Sequence, residues 1–531
     1  MEDGSSSTSP EPSTPNAHSP AKPKAGGSTS APMAAVPRSA PSSGTVAPLP
    51  PNTSWAREST HPITWVTPTD LPLLDDAVMF EESQDAGATW TFVRNVQAAE
   101  EYYRYSVPAT GPAMVRLRLT FGRTDGRGYY TPLRSFQTPD VSLTASQKKA
   151  YTWTKVANDA PFGARDGAGG VVYGGKLWLL GGWNGGRFPL TCANDVWSSP
   201  DGATWTLEKA NTFLNAQTFD RTADWEGRHF AGYQIFGGQM WIIGGDPIQG
   251  SYQTDSWSSS DGRTWTRRDI HTRTPWYVLV DDPTDPRFGD TVVDPSVPAR
   301  EFAQFGMRTL HITGVFQNKL WVMGGQRVEQ FVNPIWPGAP GKVFNDVWSS
   351  ADGATYTPTT TRGPMWAPRA IVSEVVEHDG RMWLVGGGTY DDPGAGRIAR
   401  EYRNDVWSTK DGASWEETPD PPPFSPRIYH NVKSFDGRLW VINGYDGPTL
   451  GLGRVADNLR DVWYTVDGKN WYDASPPETF VPRHAGTVWV KDGAMYVGSG
   501  NAIGHDPDLD PMSTAPDYKW HADVWKMTPS P

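Results

Sequence analysis

The chain has 531 residues, with 26 Trp, 55 Gly, 48 Pro and a formal charge of −12. That length implies more than one domain, and so many aromatics among so many turn-formers favour short strands over helices. The acidic balance argues against a general nucleic-acid binder, which needs a net basic surface or stripe, and no apolar run is long enough for a membrane-spanning helix.

Residues 1–58 are mostly Ser, Thr, Pro, Ala and Gly. Such a segment cannot bury enough apolar surface to offset its ordering entropy, so a disordered tail is expected. It shows no basic n-region followed by an apolar h-region. The lone Cys192 provides no disulfide framework and says little about redox compartment.

From 59 to 142 the pattern changes. Val115, Leu117, Leu119 and Phe121 alternate with Arg116, Arg118 and Thr120, the period of a half-buried strand. Further strands are expected at Ile63–Val66, Ala77–Glu82, Thr89–Arg94, Tyr102–Val107 and Tyr129–Phe136, with turns such as Asp85-Ala86-Gly87 between them. Their number and length suggest a small β-sandwich that looks like a fibronectin type III or immunoglobulin-like module.

Residues 150–527 hold an internal repeat. Asp195-Val196-Trp197, with Asp201-Gly202 and Trp205 after it, returns at Asp255, Asp346, Asp405, Asp461 and Asp523, at intervals of 56 to 91 residues. Ahead of each copy stands an apolar block ending in glycine, such as Leu177 to Gly182 and Met240 to Gly245. Each repeat reads as four strands, with Asp-Gly supplying the left-handed residues of a tight hairpin. The last repeat lacks a fourth strand, and the matching piece, Tyr151-Thr152-Trp153-Thr154, lies ahead of the first. Pairing the two ends would remove both exposed sheet edges, as a closed ring does. The expected fold is all-β: a disordered tail, a sandwich and a six-bladed propeller.

These blocks resemble kelch repeats, with a Gly-Gly doublet after the second strand, an aromatic on the third and a Trp on the fourth. The Ser-x-Asp-Gly-x-x-Trp turn is similar to the Asp-box of sialidases, although a full Asp-box has one more residue between Asp and Gly. Only Ser83 to Trp90, in the sandwich, has that spacing. In the enzymes that carry it, the Asp-box is a turn device far from the active site.

The connections from second to third strand and from fourth to the next first strand are long, and in a four-stranded meander they gather at one face. Arg165, Arg228, Arg308, Arg427 and Arg483 each lie 13 residues before the second-strand aromatic, and Arg369 lies 14 before Trp383. His229, His311, His430 and His484 accompany four of them, and Tyr429 precedes His430. In a propeller this places six guanidinium groups around the axial mouth. One reading has each bonded to loop carbonyls or an acid of the next blade; the other makes a basic pocket for a carboxylate or acidic sugar. Trp183, Asp246, Tyr390, Asp391, Tyr445 and His505 in the long connections would supply aromatic and acidic contacts.

Tyr429-His430 resembles the adjacent copper ligands of galactose oxidase, a kelch-like propeller. Six blades rather than seven and the placement of Cys192 set that reading aside. Sialidases and N-acetylneuraminate epimerase, six-bladed proteins that handle acidic sugars, supply the enzyme alternative, with Glu301 or Asp391 as acids. No His/Cys/Asp group has metal-ligand spacing, so no metal or cofactor is expected. The leading expectation is a monomeric, bacterial-style, secreted or cell-surface module that recognises a glycan or protein without chemistry of its own. An intracellular kelch adaptor is the cytoplasmic alternative.

Overall fold

The computed structural model describes residues 46–49, 53–71, 76–125, 127, 129–184, 191–215, 218–246, 253–268, 277–279, 291–293, 305–306, 308–327, 342–370, 374–389, 401–446, 458–504 and 517–530. Residues 1–45 of the expected tail lie outside them. The chain is all-β, built from many small antiparallel sheets. Among the described residues no helix is long and apolar enough to cross a membrane, which says nothing of β-barrels.

The N-terminal strands Asp76–Ser83, Thr91–Gln97, Met114–Thr124 and Tyr130–Gln137 pair where alternation placed them, around a core that includes Val78, Phe80, Leu117, Leu119 and Phe121. The tail expectation needs correction at its end. Ser54–Ala56 is a strand, paired in parallel with Val141–Thr144, and Trp55 is buried against His61 and Tyr105. One apolar tryptophan so placed is enough to anchor a Ser/Pro-rich segment to a core.

Six sheets follow the repeat, five of four strands and one, the fifth, of six. The first contains Gly169–Tyr173, Lys176–Trp183, Cys192–Ser199 and Thr206–Lys209. Sheets two to five repeat that order, starting at Gly232, Ile312, Val376 and Asn431. The sixth takes Thr487–Lys491, Ala494–Gly498 and Val524–Pro529 from the end of the chain and Tyr151–Ala157 from ahead of the first sheet. In it Trp153 pairs with Met527 and Lys155 with Trp525, so the two ends share one sheet. The first strands of the six sheets touch in cyclic order, sheet six returning to sheet one. The fifth sheet continues into N-terminal strands through Thr60, which pairs with Trp471. Arg104 lies over the Trp463 ring, 5.6 Å from its centroid, at the same junction.

The Asp-Gly turns are local devices. Ser199 Oγ accepts from the Gly202 amide at 2.7 Å, Asp201 Oδ1 accepts from the amides of Ala203 and Thr204, and Trp205 Nε1 donates to the Gly202 carbonyl. The turn glycine also lets one sheet meet the next. A Cβ on Gly353, whose φ is +74°, would sit 2.2 Å from Trp241 Cη2 of the preceding sheet. Gly353→Ala is therefore expected to lower stability by about 2–4 kcal/mol, from left-handed strain plus overpacking. Gly175→Ala isolates the strain, because φ there is +73° and nothing lies within 4 Å. Equal losses in a denaturant titration would refute the packing contribution.

Candidate functional site

Each sheet contains one Arg–Asp–Trp set built on a buried arginine. Arg228 is fully buried; Nη1 and Nη2 bond the two carboxylate oxygens of Asp255 at 2.5 and 3.2 Å, Nη1 also donates to the Gly244 carbonyl, and Nε donates to the Glu226 carbonyl. Trp257 Nε1 donates to the same carboxylate at 2.7 Å. The pattern recurs as Arg165–Asp195–Trp197, Arg308–Asp346–Trp348, Arg369–Asp405–Trp407, Arg427–Asp461–Trp463 and Arg483–Asp523–Trp525. Burial alone would push the Asp255 carboxyl up; the Arg228 guanidinium more than reverses that and leaves it below the usual carboxylate range. Bidentate geometry and the added carbonyl acceptors are what a buried guanidinium needs.

The guanidinium groups expected to face a ligand are thus engaged inside their own sheets. In Arg165 all five N–H donors have protein acceptors: the carbonyls of Gly163, Gly181 and Phe162 and both oxygens of Asp195. The glycine doublets complete the clamp. The first residue of each offers its carbonyl to the arginine of its own sheet, as Gly181 does. In five of the six the second residue donates its amide to the arginine carbonyl of the next sheet, as Gly182 does to Arg228 and Gly500 to Arg165.

One residue beyond each arginine, the backbone bridges to the residue after the doublet. The six bridges are Asp166–Trp183, His229–Asp246, Thr309–Gln326, Ala370–Gly388, Ile428–Tyr445 and His484–Asn501. This geometry collects Trp183, His229, Asp246, Tyr445 and His484 of the expected site, with Tyr429 beside them. Their rings form a connected run. Trp520 meets Trp183 (centroids 4.8 Å), Trp183 meets His229 (5.9 Å), His229 meets Phe230 (4.8 Å) and Phe230 meets Tyr429 (5.0 Å). Tyr429 then meets His484 (5.2 Å), which meets Tyr445 (5.7 Å). Trp183, His229, Phe230, Tyr429, Tyr445 and Trp520 are half-buried. Tyr390, Asp391 and His505 lie outside the described residues, as does Glu301.

The four histidines are uncharged at neutral pH. Burial lowers His229 to about 4 and His484 to about 3, and it lowers His311 to about 4 and His430 to about 3 with help from neighbouring arginines. His311 and His430 bond through Nε2 to the carbonyls of Ile243 and Val385 in the preceding sheet, so they tie sheets together. His484 Nδ1 contacts Asn458 Oδ1 at 2.6 Å. Asp166 and Asp246 behave oppositely to the arginine-bound aspartates. Burial raises Asp246 to about 7 and Asp166 to about 8, the latter against a long hydrogen bond from Asn501. Burial also pushes the Cys192 thiol up, and the two carboxyls add to that.

Between the first strands lies a cavity of about 70 Å³, lined by Gly170, Phe230, Tyr233, Tyr429 and the Glu374–Lys433 ion pair among others. That holds a few waters but is small for an organic ligand. Among the described residues no group of three His, Cys, Asp or Glu could hold a metal ion.

Sequence reasoning missed Asp195 and its five equivalents as arginine partners, and Asp166, Thr309 and Asn501 altogether. The first set carried a usable signal: one arginine and one Asp-x-Trp in every repeat without exception.

Fold and site together define an all-β chain of repeated four-stranded antiparallel sheets, each closed by an Arg–Asp–Trp clamp. No family model and no curated protein matches the chain. Among solved structures it is similar to one titled "Structure of YjhT", at 13% identity and a TM-score of 0.44, over 70% of this chain and 97% of that one.

Proposed function

We propose that the six sheets are the blades of a kelch-like propeller carried behind a fibronectin III- or immunoglobulin-like sandwich, and that this monomeric module recognises a glycan or protein partner at the bridge face without catalysing a reaction. The cyclic contact of the first strands and the shared terminal sheet support the first part. A secreted or surface location belongs to the same reading.

The run of half-buried rings from Trp520 to Tyr445 carries the recognition reading. Stacked aromatics beside neutral polar groups suit sugar faces or peptide anchors. An enzyme on an acidic sugar would draw on the six guanidinium groups for its carboxylate, and these are engaged by their own aspartates. A glycan-array comparison of the wild type with Trp183→Ala/Tyr445→Ala tests the reading. Signals that fall in the double variant, with unchanged thermal unfolding, are expected. Equal signals for the two proteins, or none for either, would reject this face as a glycan site.

A further inference from the structure

Four consecutive sheets, in the cyclic order six, one, two, three, present at a bridge position a buried oxygen without a hydrogen-bond partner among the described residues: Asn501 Oδ1, Asp166 Oδ1, Asp246 Oδ1 and Thr309 Oγ1. Their residues are 1%, 4%, 7% and 3% exposed. Buried polar atoms are almost always satisfied, so four of them at the bridges of neighbouring sheets, two on the arginine side and two on the doublet side, are a departure that asks for an explanation. The Asn501 oxygen only accepts, the two aspartate oxygens only accept once ionised, and the Thr309 hydroxyl can also accept, so a set of donors would satisfy all four. The other side of the circle is different in kind, with Ala370 and Ile428 at the bridges packed with Leu310 and Tyr402.

Charge narrows the choice of donor. Every aspartate of the clamps is met by a guanidinium, and each is held below the usual carboxylate range or paired with a buried arginine. Asp166 and Asp246 are as deeply buried but have no cation among the described residues; the Asp166 side chain takes a 3.5 Å contact from Asn501 Nδ2. A neutral hydroxyl would satisfy lone pairs but leave the two desolvated acids in the protonated form that burial favours. An ammonium group supplies three donors, accepts nothing and carries the charge that favours the ionised carboxylates. Trp183, half-buried one strand away from Asp166 in the first bridge, gives a ring face against which a sugar or a cation can rest.

We propose that the arc formed by Asn501, Asp166, Asp246 and Thr309 binds a protonated amine carried by a sugar, so that the glycans this protein recognises are amino sugars with a free amine. The inference rests on the glycan reading above and specifies the ligand's charge.

Calorimetric titration of the full chain with glucosamine oligomers, N-acetylglucosamine oligomers of equal length and cello-oligomers tests it. Glucosamine oligomers are expected to bind about tenfold or more tightly than the other two, as one lost charge-assisted hydrogen bond implies. Binding should release protons, seen as a dependence of the heat on the buffer. Asp166→Asn/Asp246→Asn, which keeps shape and removes both charges, is expected to erase the preference, with thermal unfolding showing that it folds. Equal affinity for all three oligomers would overturn the inference while leaving the glycan reading intact, and absence of binding by any would sink both. A preference kept by the double variant, or lost when a chelator is added to the wild type, would also overturn it.

Discussion

Arg228→Met is expected to lower the stability of the chain by about 3–5 kcal/mol, because it leaves the Asp255 carboxylate buried without its counter-charge. The guanidinium is also the donor to the carbonyls of Glu226 and Gly244, so two backbone acceptors lose their partners as well. Trp257 would retain its bond to the carboxylate, but a single indole N–H cannot compensate a full charge. The paired replacement Arg228→Met/Asp255→Leu should recover most of the loss, since an apolar pair avoids the desolvation of two ions. Urea titrations of the four proteins check this. A single variant no worse than Arg263→Ala, which removes an exposed arginine from Glu208 while Lys176 stays paired with that carboxylate, would mean the clamps do not hold the sheets. The same experiment bears on function: if the arginines served a ligand, Arg228→Met would alter binding and spare stability.

The second large effect is on the dependence of stability on pH. Asp166 and Asp246 are raised by burial to about 8 and about 7 in the folded chain. Unfolded, both ionise near the ordinary value of about 4. Below that value the two states bind the same protons, and the contribution from these groups is complete. As pH rises, the unfolded chain loses protons that the folded chain keeps. Stability therefore falls, by about 1.4 kcal/mol per pH unit for each group, until each folded carboxyl ionises in turn. Asp166→Asn removes one ionising group and should flatten the profile between about 4 and 8. The variant is then more stable than the wild type at neutral pH, with the difference vanishing in acid. Unfolding midpoints across that range would show it, and parallel profiles for the two proteins would refute the assignment.

Much of the strand pattern could be read directly from the chain, because it depends on features that recur. The Asp-Gly hairpins and the alternation from Val115 to Phe121 report local geometry, and local geometry is written in neighbouring residues. The partnership of Trp153 with the strand of Trp525 was legible for a different reason: a missing strand at one end and a spare one at the other admit one simple solution. The arginines were visible and their role was not. Spacing places Arg228 near a doublet, but only the folded backbone brings Asp255 into reach; on the sequence that aspartate read as the start of a strand. Asp166 was harder still, since its character comes from burial and from the absence of a cation beside it. Ser54–Ala56 was lost to composition, because an average over a Ser/Pro-rich tail hides one tryptophan that packs.

The sixth sheet has a consequence for biosynthesis. Its outer strand, Tyr151–Ala157, leaves the ribosome well before its partner, Val524–Pro529. At ordinary elongation rates that interval is on the order of 20–75 s. Throughout it the Trp153 strand has an unpaired backbone edge and an aromatic face, the kind of surface that recruits other nascent chains. Sheets one to five can assemble as they emerge, whereas the sixth must wait for Val524–Pro529. A chaperone that holds the nascent N-terminal segment would act in that interval.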